Sequence, residues 1–120
     1  MPSYHRNINT MVKRISLVWK RPELSDMEFR RLWLGEHVIH AKRLPGLREY
    51  VIDFATERRP GAPDGIATVR FDSRQALDSA FADAVLSAEL VRTRETFARA
   101  VQVLIVDEEE VVPLSDSEAS

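Results

Sequence analysis

Apolar and polar residues alternate from Val12 to Lys20, with Ile15, Leu17 and Trp19 on one side and Arg14, Ser16 and Val18 on the other. A period of two predicts a strand. The second side carries an apolar member too, so neither face of this strand is purely solvated. Arg21-Pro22-Glu23-Leu24 breaks the alternation, and Ser25-Asp26-Met27-Glu28 has the form of a capping box, Ser25 as cap and Glu28 reaching back. Apolar spacing then widens to three and four at Phe29, Leu32, Trp33, Ala41 and Leu44, which predicts one helix ending at Leu44-Pro45-Gly46.

Residues 47–56 read as a second strand with Tyr50, Ile52 and Phe54 on one face. The Pro- and Gly-rich stretch 58–65 is a loop, and 66–71 a third strand antiparallel to the second. Asp72 or Ser73 caps a second helix whose buried stripe is Leu77, Ala80, Phe81, Ala84 and Val85. The pattern falters near Ser87, and a further helical piece carries Leu90, Val91 and Phe97. A fourth strand, 100–107, places Val101, Val103 and Ile105 on one face. The order β-α-β-β-α-β predicts the α+β class: a ferredoxin-like split βαβ with a four-stranded antiparallel sheet and its helices on one face. A sheet apolar on both sides needs a second layer, so we expect a homodimer in which two sheets close a dimeric α+β barrel.

The 120 residues suit one domain, expected over 11–113, between a flexible N-terminal extension, 1–10, and an acidic flexible tail, 114–120. His5 falls in the extension and is assigned no role. There are no cysteines, which excludes disulfides and thiol nucleophiles. No apolar run is long enough for a membrane span and residues 1–10 lack the apolar core of a secretory signal, so no membrane partner and a cytoplasmic location are expected. The net charge is −2, with 12 Lys+Arg against 7 Asp+Glu in residues 1–59 and 5 against 12 in residues 60–120. The basic pairs Arg30-Arg31 and Lys42-Arg43 lack interleaved aromatics, so a solvated surface is expected and no nucleic-acid partner.

Short motifs in order carry a family resemblance. Met11-Val12-Lys13, Lys20-Arg21-Pro22, Ser25 with Glu28-Phe29, Trp33 with Glu36-His37, Leu44-Pro45-Gly46-Leu47-Arg48-Glu49-Tyr50, Asp64-Gly65-Ile66-Ala67, Phe71-Asp72-Ser73 and Glu110-Val111-Val112 together resemble the EthD family of dimeric α+β barrel proteins. The resemblance spans about residues 11 to 113 and implies a ferredoxin-like fold, a homodimer and a pocket between helices and sheet in each subunit. Proteins of similar type include methylmuconolactone isomerases and fungal enzymes that cyclise, dehydrate or decarboxylate polyketides, and neighbouring families include cofactor-free monooxygenases. His37 matches the family's helix histidine, eight positions before Pro45.

The candidate chemistry lies on the first helix. At 100° per residue Glu36 and His40 fall on the side of Phe29 and Trp33, with His37 on its flank. Histidine titrates near neutrality and can both take and give a proton, so His37, aided by Glu36, His40 or Tyr50, is the candidate acid/base, with a limb near neutral pH as its signature. Trp19, Trp33, Phe54 and Phe71 are the candidate walls of a site for a small apolar or aromatic ligand. Arg14, Ser16 and Arg70 are expected on a solvated or interface face. His37 and His40 lack the usual i, i+4 zinc spacing and no third ligand is evident, so no metal and no cofactor are expected. Phosphate-binding glycine loops and serine elbows are absent from the sequence.

Three functions follow. The first is a cofactor-free isomerase, cyclase or lyase acting on an apolar carbonyl, lactone or polyketide-like compound. The second is a cofactor-independent oxidoreductase, a monooxygenase acting on a phenol or quinol in catabolism. The third is a non-catalytic protein that binds a hydrophobic metabolite.

Overall fold

The computed structural model describes residues 11–115; the extension with His5, and all but the first two residues of the tail, lie outside them. Strand β1 (Val12–Lys20) is central, flanked by β3 (Gly65–Phe71) and β4 (Ala98–Asp107), with β2 (Glu49–Phe54) outside β3. All pairings are antiparallel and the order is β2-β3-β1-β4. The chain is α+β with a ferredoxin-like sheet.

Register assigns the faces. Arg14 pairs with Val69 and Ile105, Ser16 with Ala67 and Val103, and Val18 with Gly65 and Val101. Tyr50, Ile52 and Phe54 continue that face through β3. Helices cover it: α1 (Asp26–Leu32), α2 (Val38–Ala41), α3 (Arg74–Ala80) and α4 (Ala84–Arg94). The opposite face carries Ile15, Leu17 and Trp19 with Ile66, Leu104 and Val106, and no element of the described chain forms a layer over it.

The first helix starts as the sequence predicts. The Ser25 side chain accepts from the Glu28 N–H at 3.1 Å, and Glu28 accepts from the Ser25 N–H at 2.9 Å. It does not run on to Leu44. Trp33–His37 winds as a π-helical turn, and at Gly35 the backbone leaves helical geometry (φ −86°, ψ −119°) before α2 resumes. Such a turn admits an extra residue and rotates everything after it relative to α1. The second helical region breaks at Phe81–Asp83 rather than near Ser87, and the Asp83 carboxylate caps α4 through the Val85 and Leu86 N–H groups. Val85, expected in the buried stripe, is 76% exposed for that reason: it sits in the first turn of a newly capped helix. Phe97 lies beyond α4, in the turn that opens β4, and is buried. The second strand is shorter than expected, Glu49–Phe54.

Two apolar clusters result. One gathers Val12, Leu44, Val69, Phe71, Leu77 and Leu90. The other gathers Val18, Phe29, Trp33 and Phe97, with Trp33 and Phe97 stacked at 5.1 Å and 16°. Gly65 in β3 is required by this second cluster. A Cβ there would stand 2.5 Å from Cζ3 of Trp33.

Candidate active site

Between the two clusters the sheet and helices do not close. A cavity of about 230 Å³ remains, floored by Arg14, Ser16, Val18 and Val101 of the sheet and roofed by Trp33, His37, Leu90 and Arg94 of the helices. Tyr50 and Phe97 also line it.

The π-helical turn determines which histidine reaches this cavity. On a regular helix Glu36 and His40 would share the side of Trp33; with the extra residue in the turn, His37 takes the inward position and lines the cavity. Its Nδ1 is 2.7 Å from Oγ1 of Thr93 in α4. The Thr93 hydroxyl has one hydrogen, which it donates to the Glu89 carbonyl at 2.8 Å. With that hydrogen on the Glu89 carbonyl, the oxygen accepts from His37, an arrangement that goes with the Nδ1–H tautomer and a lone pair on Nε2. The ring edge also meets Phe97 at 5.3 Å. Burial pushes the imidazole down to about 4, helped by the charges of Arg94 and His40 and opposed by a hydrogen bond to the Leu90 carbonyl. The expected limb near neutrality therefore moves to about pH 4, and at pH 7 His37 is an unprotonated base. Tyr50 is its counterpart: burial pushes its hydroxyl up to about 12, against an opposing hydrogen bond with Trp33, so it stays a proton-bearing donor.

The other candidates divide. Trp33 and Tyr50 line the cavity. Trp19 does not: it lies on the opposite sheet face, where its indole N–H donates to the Gly61 carbonyl at 3.0 Å. Phe54 packs in the second cluster under the Arg30 guanidinium, and Phe71 is fully buried in the first; neither lines the cavity. Arg14 and Ser16, expected at a solvated or interface face, line it, because the helices cover that phase of β1. Arg70 lies on the other face, paired with Glu108 at 2.7 Å and with Glu49.

Glu36 and His40 form a separate cluster at the surface. His40 Nε2 is 3.3 Å from Glu36 and 3.5 Å from Glu89, while its Nδ1 is buried without a partner. Glu89 thus supplies the third potential ligand that the sequence did not reveal, all three donors lying within 4.8 Å of one another. The Arg92 guanidinium bonds both carboxylates and lowers the pKa of each, so the cluster already holds its own cation.

Thr93, Arg94 and Phe97 were not foreseen as site residues. One signal was available: Thr93 follows Leu90 by three positions, on the buried stripe of its helix, where a hydroxyl needs a partner.

Comparison with known proteins agrees with this architecture. The family model described as the EthD domain matches residues 21–100. No curated protein matches the chain. An EthD-family protein from Bacillus halodurans is 20% identical, with a TM-score of 0.65 over 82% of this chain and 98% of that one. A hydroxynitrile lyase from Passiflora edulis is 14% identical, with a TM-score of 0.68 over 88% and 99%. SnoaB, a cofactor-independent oxygenase from Streptomyces nogalater, is 13% identical, with a TM-score of 0.61 over 88% and 99% (that structure being of a mutant). Further neighbours are described as dimeric and ferredoxin-like. These likenesses concern the fold. Among the described residues, no helix is long and apolar enough to cross a membrane.

Proposed function

The chain belongs to the EthD family, and from that premise we propose that it is a cofactor-free enzyme of the isomerase, cyclase or lyase type whose base is His37. The observation that carries this is the chain from His37 Nδ1 to Thr93 and on to the Glu89 carbonyl, which favours the Nδ1–H tautomer and an unprotonated Nε2 at the cavity. A substrate carbonyl beside Tyr50 would accept its O–H. Nε2 then removes a proton from the neighbouring carbon, and the electron pair moves onto the carbonyl oxygen as an enolate stabilised by that donor. Return of the proton to a different carbon completes an isomerisation; loss of a leaving group completes an elimination.

The cavity is smaller than the roughly 300–1,000 Å³ of sites for drug-sized ligands, which suits a compound of about one ring. The likeness in fold to a lyase and to a cofactor-independent oxygenase supports small-molecule chemistry, the second of them without a cofactor. The test is solvent deuterium exchange into small cyclic ketones and lactones, followed by NMR in wild type and His37→Gln. Exchange that wild type accelerates and His37→Gln does not is the expected result. Oxygen uptake with a phenol or quinol would assign the base to oxygenation instead, and binding without exchange or uptake would leave a non-catalytic carrier.

We also propose a homodimer through the uncovered sheet face, where Ile15, Leu17, Ile66 and Leu104 form an apolar surface beside Trp19. Apolar sheet faces are costly in water, and the dimeric neighbours support a dimer. A solution mass of only 13.7 kDa at micromolar concentration would contradict it.

A further inference from the structure

The charge pattern inside the cavity is the reverse of that on the surface. Surface arginines such as Arg58, Arg70 and Arg92 each engage two carboxylates. The cavity contains two arginines, Arg14 and Arg94, and no aspartate or glutamate lines it. Among the described residues neither guanidinium has an ion-pair partner. Arg14 holds one weak hydrogen bond, to Ser16 Oγ at 3.3 Å, and lies 4.4 Å over the Phe81 ring. Its other N–H donors have no partner among the described residues. Burial and the nearby charge of Arg94 both work against the Arg14 cation. Two like charges lining one cavity, with no carboxylate beside them, favour an anion from outside.

We propose that the ligand of this cavity is a small organic carboxylate, its anionic group held between Arg14 and Arg94 and its apolar body against Trp33, Phe97 and Val101. This rests on the cavity being the substrate site and names the substrate class for it. The guanidinium fork suits a carboxylate because two parallel N–H groups match its two oxygens. His37 and Tyr50 line the same cavity as the two arginines. A neutral carbonyl compound of the same shape would leave both charges unpaired.

The test is isothermal calorimetry with matched probes, phenylacetate against phenylacetamide and cyclohexanecarboxylate against its amide, on wild type, Arg94→Gln, Arg14→Gln and His37→Gln. Wild type is expected to prefer each acid over its amide by roughly tenfold to a hundredfold. Arg94→Gln and Arg14→Gln should lose that preference and fold at least as stably as wild type, because each removes an unpaired charge. His37→Gln should keep it. Equal affinity for acid and amide, no binding of any acid, or an undiminished preference in both arginine variants would overturn the proposal. The proton-transfer role is read separately: a retained acid preference with no deuterium exchange defeats the His37 base alone, and exchange into neutral ketones with no acid preference defeats the carboxylate site alone.

Discussion

Removing the Thr93 hydroxyl isolates the contact on which the site depends. Thr93→Val is close to isosteric, and residue 93 is 2% exposed, so the change opens no cavity and buries slightly more apolar surface. Two hydrogen bonds disappear, His37 Nδ1–H to Oγ1 at 2.7 Å and Oγ1–H to the Glu89 carbonyl at 2.8 Å. The carbonyl keeps its place in the helix ladder and loses little. The imidazole N–H keeps the Leu90 carbonyl as its remaining acceptor, so the loss lies toward the lower end of the roughly 1–3 kcal/mol that an unsatisfied buried donor costs. Offsetting the better burial of valine, a net loss of about 1–2 kcal/mol is expected. For a domain of this size that lowers Tm by roughly 4 °C per kcal/mol. The assay is urea unfolding of wild type, Thr93→Val, His37→Phe and the double variant. In the His37→Phe background no N–H remains to be orphaned, so Thr93→Val should cost nothing there. A coupling energy of about 1–2 kcal/mol is predicted. Additivity within about 0.3 kcal/mol would refute the hydrogen bond as the device that holds the histidine.

The remaining predictions follow from the same packing. His37 has a folded-state pKa of about 4 against 6.5 unfolded, so the unfolded chain binds the extra proton. Stability from this group is complete above pH 6.5 and falls as the pH drops toward 4, by at most about 3 kcal/mol; pH-dependent denaturation should show this slope and His37→Gln should flatten it. Gly65→Ala forces its Cβ to 2.5 Å from Trp33, which Phe97 backs from the other side, so calorimetry should show a loss of about 2–3 kcal/mol. Ser25→Ala removes the cap that the Glu28 N–H uses and should cost about 1 kcal/mol in thermal unfolding.

Local chemistry made much of the fold legible. Ser25 and Glu28 announced the first helix because a capping box involves only four adjacent residues. Leu44-Pro45-Gly46 announced its end because Gly46 adopts a positive φ of 79°. The alternation in β1 was equally clear, but a period of two does not say which phase faces the helices. Val18 settles the matter by packing with Phe29, Trp33 and Phe97, residues distant in sequence. Arg14 and Ser16 therefore looked like surface residues, and Trp19 like a pocket wall. The π-helical turn was hidden for a similar reason. Gly35 was visible in the middle of the helix, but the one-residue offset that turns His37 inward and Glu36 outward depends on how α2 packs on α4. Thr93 and Arg94 matter through contacts made across 56 residues and more, which no local pattern encodes.

The proposed chemistry depends on His37 presenting an unprotonated Nε2 to the cavity at neutral pH. Histidine-selective ¹⁵N NMR from pH 3 to 8, with His37 assigned by its loss in His37→Gln, tests this directly. The expected ring is a neutral Nδ1–H imidazole that protonates only near pH 4. A ring that titrates near 6.5, or that carries its proton on Nε2 at pH 7, would contradict it and leave the cavity without its base.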